Sequence, residues 1–155
     1  TVAAGYWNDP EGTERTFRPL SAVPSMTGSA DERVVYSGDL ARRGPDGLLY
    51  LVGRRDRMIK TLGFRVGPDE VADALFASGV VSEVVVIGEP DKQLGERIVA
   101  HLVLKAGGSL EAVRKHSRIE LPRHMQPARY EIHDALPRTA GGKYDVSALS
   151  ARRTV

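Results

Sequence analysis

Cysteine is absent from the 155-residue chain, which excludes disulfides, thiolate nucleophiles and cysteine-ligated metal. That absence fits a reducing compartment, and the expected location is cytoplasmic. Long apolar runs are missing as well. Nothing approaches the roughly 20 residues that a membrane-spanning helix needs, and the opening TVAAGYWNDP carries neither the basic nor the apolar segment of a secretory signal. No membrane is expected among the partners. A strong charge bias is also lacking. The 22 Lys and Arg against 20 Asp and Glu leave a net +2, interspersed along the chain. The pI near 9.0 reflects a small surplus on a large titratable set, so nucleic acid is not expected either.

What is present is the mixture of a folded globular protein, 41% hydrophobic and 27% charged residues. One stretch is lopsided. Between Lys105 and Arg129, the bases Lys105, Arg114, Lys115, Arg118, Arg123 and Arg129 face only Glu111 and Glu120, with His116 and His124 beside them. This pattern suits a solvated helix face or a docking face for a polyanion.

Periodicity and turn chemistry give a coarse map. Residues 1–33 read as the ragged edge of a larger unit. They hold two aromatics beside an Asp-Pro turn signal, then a Pro-, Ser- and Gly-rich stretch over 19–32. The runs RVVYSGDL and LLYLVG, separated by GPDG, predict a hairpin-like meander. A helix is expected from Gly67, with Pro68 in its first turn, Asp69 and Glu70 at its positive end, and Gly79 stopping it. Residues 80–91 and 96–108 predict two strands, the first buried and the second alternating. Ser109 is expected to cap a helix over about 110–120, broken at Leu121-Pro122. ARYEIHD predicts a third strand, LPRTAGGKYD a loop, and the tail after Asp145 a short helix. The expected class is α+β, a roughly three-stranded sheet with two or three helices.

Three segments hold candidate chemistry. Tyr36-Ser37-Gly38-Asp39 taken alone is a turn after a strand. Gly53-Arg54-Arg55-Asp56, with Lys60, Gly63 and Arg65 following, is a charge-dense hairpin. Thr139-Ala140-Gly141-Gly142-Lys143 is a glycine-loosened loop ending in a cation. It is not a phosphate-binding P-loop, because the required glycine spacing before Lys-Ser/Thr is missing.

Together, GYWNDPEGTERTF, YSGDL, GRRDRMIKTLGFRV and LPRTAGGKYD occur in an order and spacing that resembles the last signature regions of the adenylate-forming superfamily. That group includes the acyl- and aryl-CoA synthetases, luciferases and the adenylation domains of peptide synthetases. The resemblance covers nearly the whole chain. It implies that residues 1–54 are the β-rich end of a large adenylation domain and residues 55–155 a small mobile C-terminal domain. It implies a parent reaction in which a carboxylic acid and ATP form acyl-AMP, followed by transfer to CoA or to the phosphopantetheine thiol of a carrier protein.

The same resemblance implies residue roles. Asp39 matches the acid that holds the ribose hydroxyls, and Arg54 an arginine that reaches the nucleotide. Asp56 matches the hinge of the small domain. Lys143 matches the catalytic lysine delivered to the carboxylate and α-phosphate. Gly63 lies beside the expected pantetheine channel, with Arg65 and Lys60 near it in the thioester-forming state. Ser37 stands where the family commonly has threonine. The larger departure is that no Gly-rich Ser/Thr phosphate loop and no aromatic-Gly-x-Thr-Glu element occur in the sequence. ATP, Mg²⁺ and the acyl pocket are therefore expected to depend on a missing N-terminal adenylation domain, with no metal ligand here and an isolated chain that is inactive. The rival reading is a non-catalytic module of the same fold that docks a carrier protein or other partner.

Overall fold

A computed structural model of the chain describes residues 2–23 and 32–151, and these divide into two compact units, Thr1–Asp39 and Leu40–Val155. The irregular stretch expected over 19–32 lies, for residues 24–31, outside the described residues, as does the end of the tail beyond Ala151.

The described residues of the first unit hold regular elements where its sequence predicts a ragged edge. Helix α1 spans Pro10–Thr16, with Asp9 as its N-cap accepting a hydrogen bond from the Gly12 N–H at 2.8 Å. Asp-Pro here is a cap followed by proline at the first helical position, not the expected turn. Strands β1 (Phe17–Pro19) and β2 (Arg33–Val35) pair antiparallel, and Phe17 and Leu20 are buried. The Tyr6 ring meets Phe17 edge-on at 5.3 Å, whereas Trp7 is exposed.

The second unit opens with the expected hairpin. Strand β3 (Asp39–Arg43) pairs with β4 (Leu49–Arg54) across the turn at Gly44–Gly47, where Gly47 takes φ +82°. A five-stranded sheet follows, in the order β6-β5-β8-β7 with β9 also paired to β8. Strands β7 (Val81–Asp91), β8 (Gly95–Leu104) and β9 (Arg129–Ile132) are the three read from the sequence. The additional pair is a hairpin, β5 (Ile59–Thr61) and β6 (Phe64–Val66), inside the charge-dense segment. Its strands are too short, and too mixed in polarity, to show a period-2 signal.

Both faces of this sheet are covered, which explains the unbroken Val-Val-Val-Ile run at 84–87. On one face Val86, Ile98, Ala100 and Leu102 pack with Val71 and Leu75 of α2 (Pro68–Phe76) and Val113 of α3 (Leu110–Glu120). On the other, Val85, Ile87 and Val99 pack with Leu136 and with Leu149 of α4 (Val146–Ala151). The helix boundaries follow their predicted signals. Gly79 closes α2 with φ +77°, and the Ser109 side chain caps α3 by accepting from the Ala112 N–H at 3.2 Å. Among the described residues no helix is long and apolar enough to cross a membrane.

Candidate functional site

A concavity of about 870 Å³ in the second unit collects residues from every layer. Its floor is the edge strand β7, from Ser82 to Gly88. One wall is α2, through Pro68, Asp69, Ala72 and Asp73. The opposite wall is the tail segment carrying Arg138, Lys143 and Tyr144, and Asp56 and Arg57 close one end. Lys143 and Asp56 are thus brought to one space although far apart in sequence. Lys60, Gly63 and Arg65 are not among its lining residues.

Lys143 sits on a tight turn rather than a slack loop. The Thr139 N–H donates to the Lys143 carbonyl at 2.7 Å, the Gly142 N–H to the Thr139 carbonyl at 2.9 Å, and the Arg138 guanidinium to the Gly142 carbonyl at 3.0 Å. Gly142 has φ +79°, a conformation that favours glycine, with open space where a Cβ would stand. Arg138 anchors the turn. It lies 3.3 Å from the Glu83 carboxylate on β7 and 4.3 Å from the centre of the Tyr144 ring. The Lys143 side chain is exposed and makes no ion pair among the described residues.

Arg54 and Asp56 interact with each other. The Arg54 Nε donates to Asp56 Oδ1 at 3.0 Å and its Nη2 to Oδ2 at 3.2 Å, a two-point fork. That contact holds the Asp56 carboxyl below its ordinary range. Asp56 lies in a single helical turn, Arg55–Arg57, that joins β4 to β5. Asp39 opens β3 and is exposed, and its N–H donates to the Ser37 Oγ at 3.2 Å after Gly38, which takes φ +82°.

The β5–β6 hairpin gathers the other three sequence candidates. Leu62 and Gly63 form its connection with φ +52° and +81°, the paired positive angles of a type I′ turn. Lys60 and Arg65 are direct cross-strand partners, both exposed. Two like charges placed opposite one another cost stability, so this pairing suits a surface that receives an anion.

The structure also revises the basic stretch. Arg114, Lys115 and Arg118 are exposed on α3. Arg129, however, is committed to acids outside that stretch, with Nη2 at 2.5 Å from buried Glu89 and 3.0 Å from Glu131. A further cluster, His101, Glu131 and His133, escaped the sequence reading. Its only signal in the sequence was the alternation of Arg129, Glu131 and His133, whose partner strand could not be known beforehand. Burial holds the His101 imidazole below its ordinary pKa of 6.5, opposed by Glu131 and aided by His133.

Known proteins share this fold. Residues 70–143 match the family model of the AMP-binding enzyme C-terminal domain. The chain is 39% identical over 151 residues to an isonitrile lipopeptide synthase of Streptomyces coeruleorubidus, covering 97% of this chain and 10% of that protein. It is 34% identical over 160 residues to a medium/long-chain-fatty-acid–CoA ligase, FadD8, of Mycobacterium tuberculosis, covering 97% and 26% respectively. The ATP-bound crystal structure of MatB from Rhodopseudomonas palustris superposes with a TM-score of 0.75 at 28% identity, over 95% of this chain and 27% of that one. The chain thus spans only a small part of the length of these relatives.

Proposed function

Since this chain is the C-terminal part of an adenylate-forming enzyme, with that family's C-terminal domain over residues 70–143, we propose that it serves as the mobile lid of an AMP-forming ligase. The parent activates a carboxylic acid with ATP and passes the acyl group to the thiol of CoA or of a carrier protein. In the first step a carboxylate oxygen bonds to the α-phosphorus and pyrophosphate leaves. In the second a thiol sulfur bonds to the acyl carbon, AMP leaves, and the thiol proton is released.

The observation that carries this reading is the separation of two cationic groups. Lys143 lines the concavity together with Asp56, whereas Lys60, Gly63 and Arg65 belong to a hairpin that does not line it. Bringing two anions together in the first step requires a fixed positive charge where charge builds, the role of Lys143. A rotation about Asp56 then withdraws Lys143 and presents the hairpin for the second step. In this reading the Arg54 guanidinium turns from Asp56 to the nucleotide, and Asp39 accepts from the ribose hydroxyls.

The concavity does not fit a free triphosphate. Asp56, Asp69, Asp73, Glu83 and Glu96 line it against Arg57, Arg138 and Lys143, an anionic balance that repels phosphates. In this proposal the nucleotide, Mg²⁺ and the acyl pocket belong to an N-terminal adenylation domain. The test is isotope exchange between pyrophosphate and ATP by the parent enzyme, with a panel of carboxylic acids. Acid-dependent exchange with release of AMP is expected, and acid-dependent release of ADP and phosphate would overturn the assignment.

A further inference from the structure

Away from the concavity, three metal-ligating side chains converge on two neighbouring strands. β8 and β9 run parallel with His101 opposite Glu131. His133, two positions on, projects to the same face as Glu131 because strand side chains alternate, and its N–H is held by the Leu102 carbonyl at 2.8 Å. His101 Nδ1 lies 3.0 Å from His133 Nε2 and 3.3 Å from Glu131 Oε2, and the last two atoms are 3.9 Å apart. A single point about 2 Å from all three atoms therefore exists, which is the bond length zinc makes to imidazole nitrogen and carboxylate oxygen.

We propose that His101, His133 and Glu131 form a binding site for one first-row divalent cation, Zn²⁺ by preference, that fastens strand β9 to β8. The donor set selects the ion. Two imidazoles and one carboxylate suit zinc, whereas Ca²⁺ and Mg²⁺ take oxygen ligands. Three protein ligands leave a fourth position for water, on the side where His133 is partly exposed.

The protonation alternatives favour a cation. Both neutral tautomers of His101 leave a poor arrangement, because its Nε2 is buried without a hydrogen-bond partner among the described residues. With the proton on Nδ1, the buried Nε2 lone pair has no donor. With the proton on Nε2, the Nδ1 lone pair can accept from a His133 Nε2–H at 3.0 Å but also faces the Glu131 carboxylate at 3.3 Å, while the Nε2–H stays buried without an acceptor among the described residues. A divalent ion turns that second arrangement into three attractive contacts, which offset the remaining buried N–H. The carboxylate is already oriented for this. Arg129 Nη2 holds Glu131 Oε1 at 3.0 Å, leaving Oε2 for the ion, the kind of outer support that fixes metal ligands. Arg129 in turn is neutralised by buried Glu89.

The site has a structural consequence. Among the described residues β9 pairs with β8 alone, and the chain leaving His133 runs through buried Leu136 into the Lys143 turn. An ion here secures the root of that turn.

The test uses the 155-residue chain freed of metal with a chelator. Zn²⁺ is titrated in competition with a chromophoric chelator, and Co²⁺ is added separately as a spectroscopic probe. One equivalent should bind, Co²⁺ should give the intense visible bands of a low-coordinate site, and Zn²⁺ should raise the thermal midpoint by mass action. His133→Ala, at the partly exposed rim, and Glu131→Gln, which keeps the side-chain shape, should each weaken binding by at least about 10–100-fold, the cost of losing even an outer-shell partner. His124→Ala should leave affinity unchanged. Circular dichroism checks that each variant is folded, and Glu131→Gln keeps the test decisive if His133→Ala is not. Wild-type affinity no greater than that of a folded His133→Ala or Glu131→Gln chain, or equal loss with His124→Ala, overturns the proposal.

Discussion

Lys143 is the residue on which the proposed two-step chemistry turns. Its charge is needed while two anions are forced together and not afterwards. Replacing it with alanine in the parent enzyme should slow acyl-AMP formation by about a hundred- to a thousandfold, roughly 3–4 kcal/mol for one preorganised charge contact. Thioester formation from supplied acyl-AMP should change little. Gly63→Trp should give the reverse pattern, because φ +81° strains any other residue there and the indole would fill the space beside the hairpin. Isotope exchange and single-turnover transfer measure the two steps separately, and equal slowing of both by Lys143→Ala would reduce the lysine to a structural role. His101 supports a different prediction, about stability. Its folded pKa lies below the ordinary 6.5 because burial penalises the charged ring, with Glu131 and Glu89 opposing and His133 and Arg129 reinforcing. The unfolded chain therefore binds the proton more readily. Stability is fully present above about pH 6.5 and is lost as pH falls below it, toward the lower folded pKa. Thermal midpoints of the chelator-treated chain should fall as pH drops through that window; a flat profile would show that folding leaves the His101 pKa unshifted, and midpoints that rise instead would show that the fold favours the charged ring.

At the scale of elements, α3 presents Arg114, Lys115 and Arg118 outward while Val113 and Ser117 are buried. The helix is thus both a packing unit and a cationic surface, and the second property is free to serve an anionic acceptor. Reversing charge at Arg114 and Lys115 in the parent should slow thioester transfer and reduce its salt sensitivity, while leaving adenylation intact, because steering acts on encounter. Unchanged transfer at low and high salt would leave the face as solvated surface. Helices α2 and α3 were legible in the sequence, since Pro68, Gly79 and Ser109 act on their own neighbours. Helix α1 was also signalled, by Asp9 and Pro10, but the same dipeptide is equally common in turns and only the hydrogen bond to Gly12 distinguishes them.

For the whole molecule the prediction is inactivity in isolation. The concavity that holds Lys143 is lined by more carboxylates than cations, so the purified chain should catalyse no pyrophosphate exchange with any carboxylic acid. Robust exchange would place a complete nucleotide site within these residues. The two compact units, Thr1–Asp39 and Leu40–Val155, are each organised around their own buried residues. The hinge proposed at Asp56 lies within the second of them, where the Arg54 fork would have to open for the lid to turn.

By itself the sequence determined the family, the order of its motifs, strands β7, β8 and β9, and the capped helices. Those features depend on neighbours in the chain: a serine before a helix, a glycine after one, a lysine following two glycines. Tertiary structure decided what depends on strand register. Placing His101 opposite Glu131, pairing Arg129 with Glu89, and setting Lys60 against Arg65 each require knowing which strand lies beside which. A shift of one residue in any of these pairings would turn the side chains to the other face of the sheet. Burial of both sheet faces holds the register, and the register brings these distant residues together.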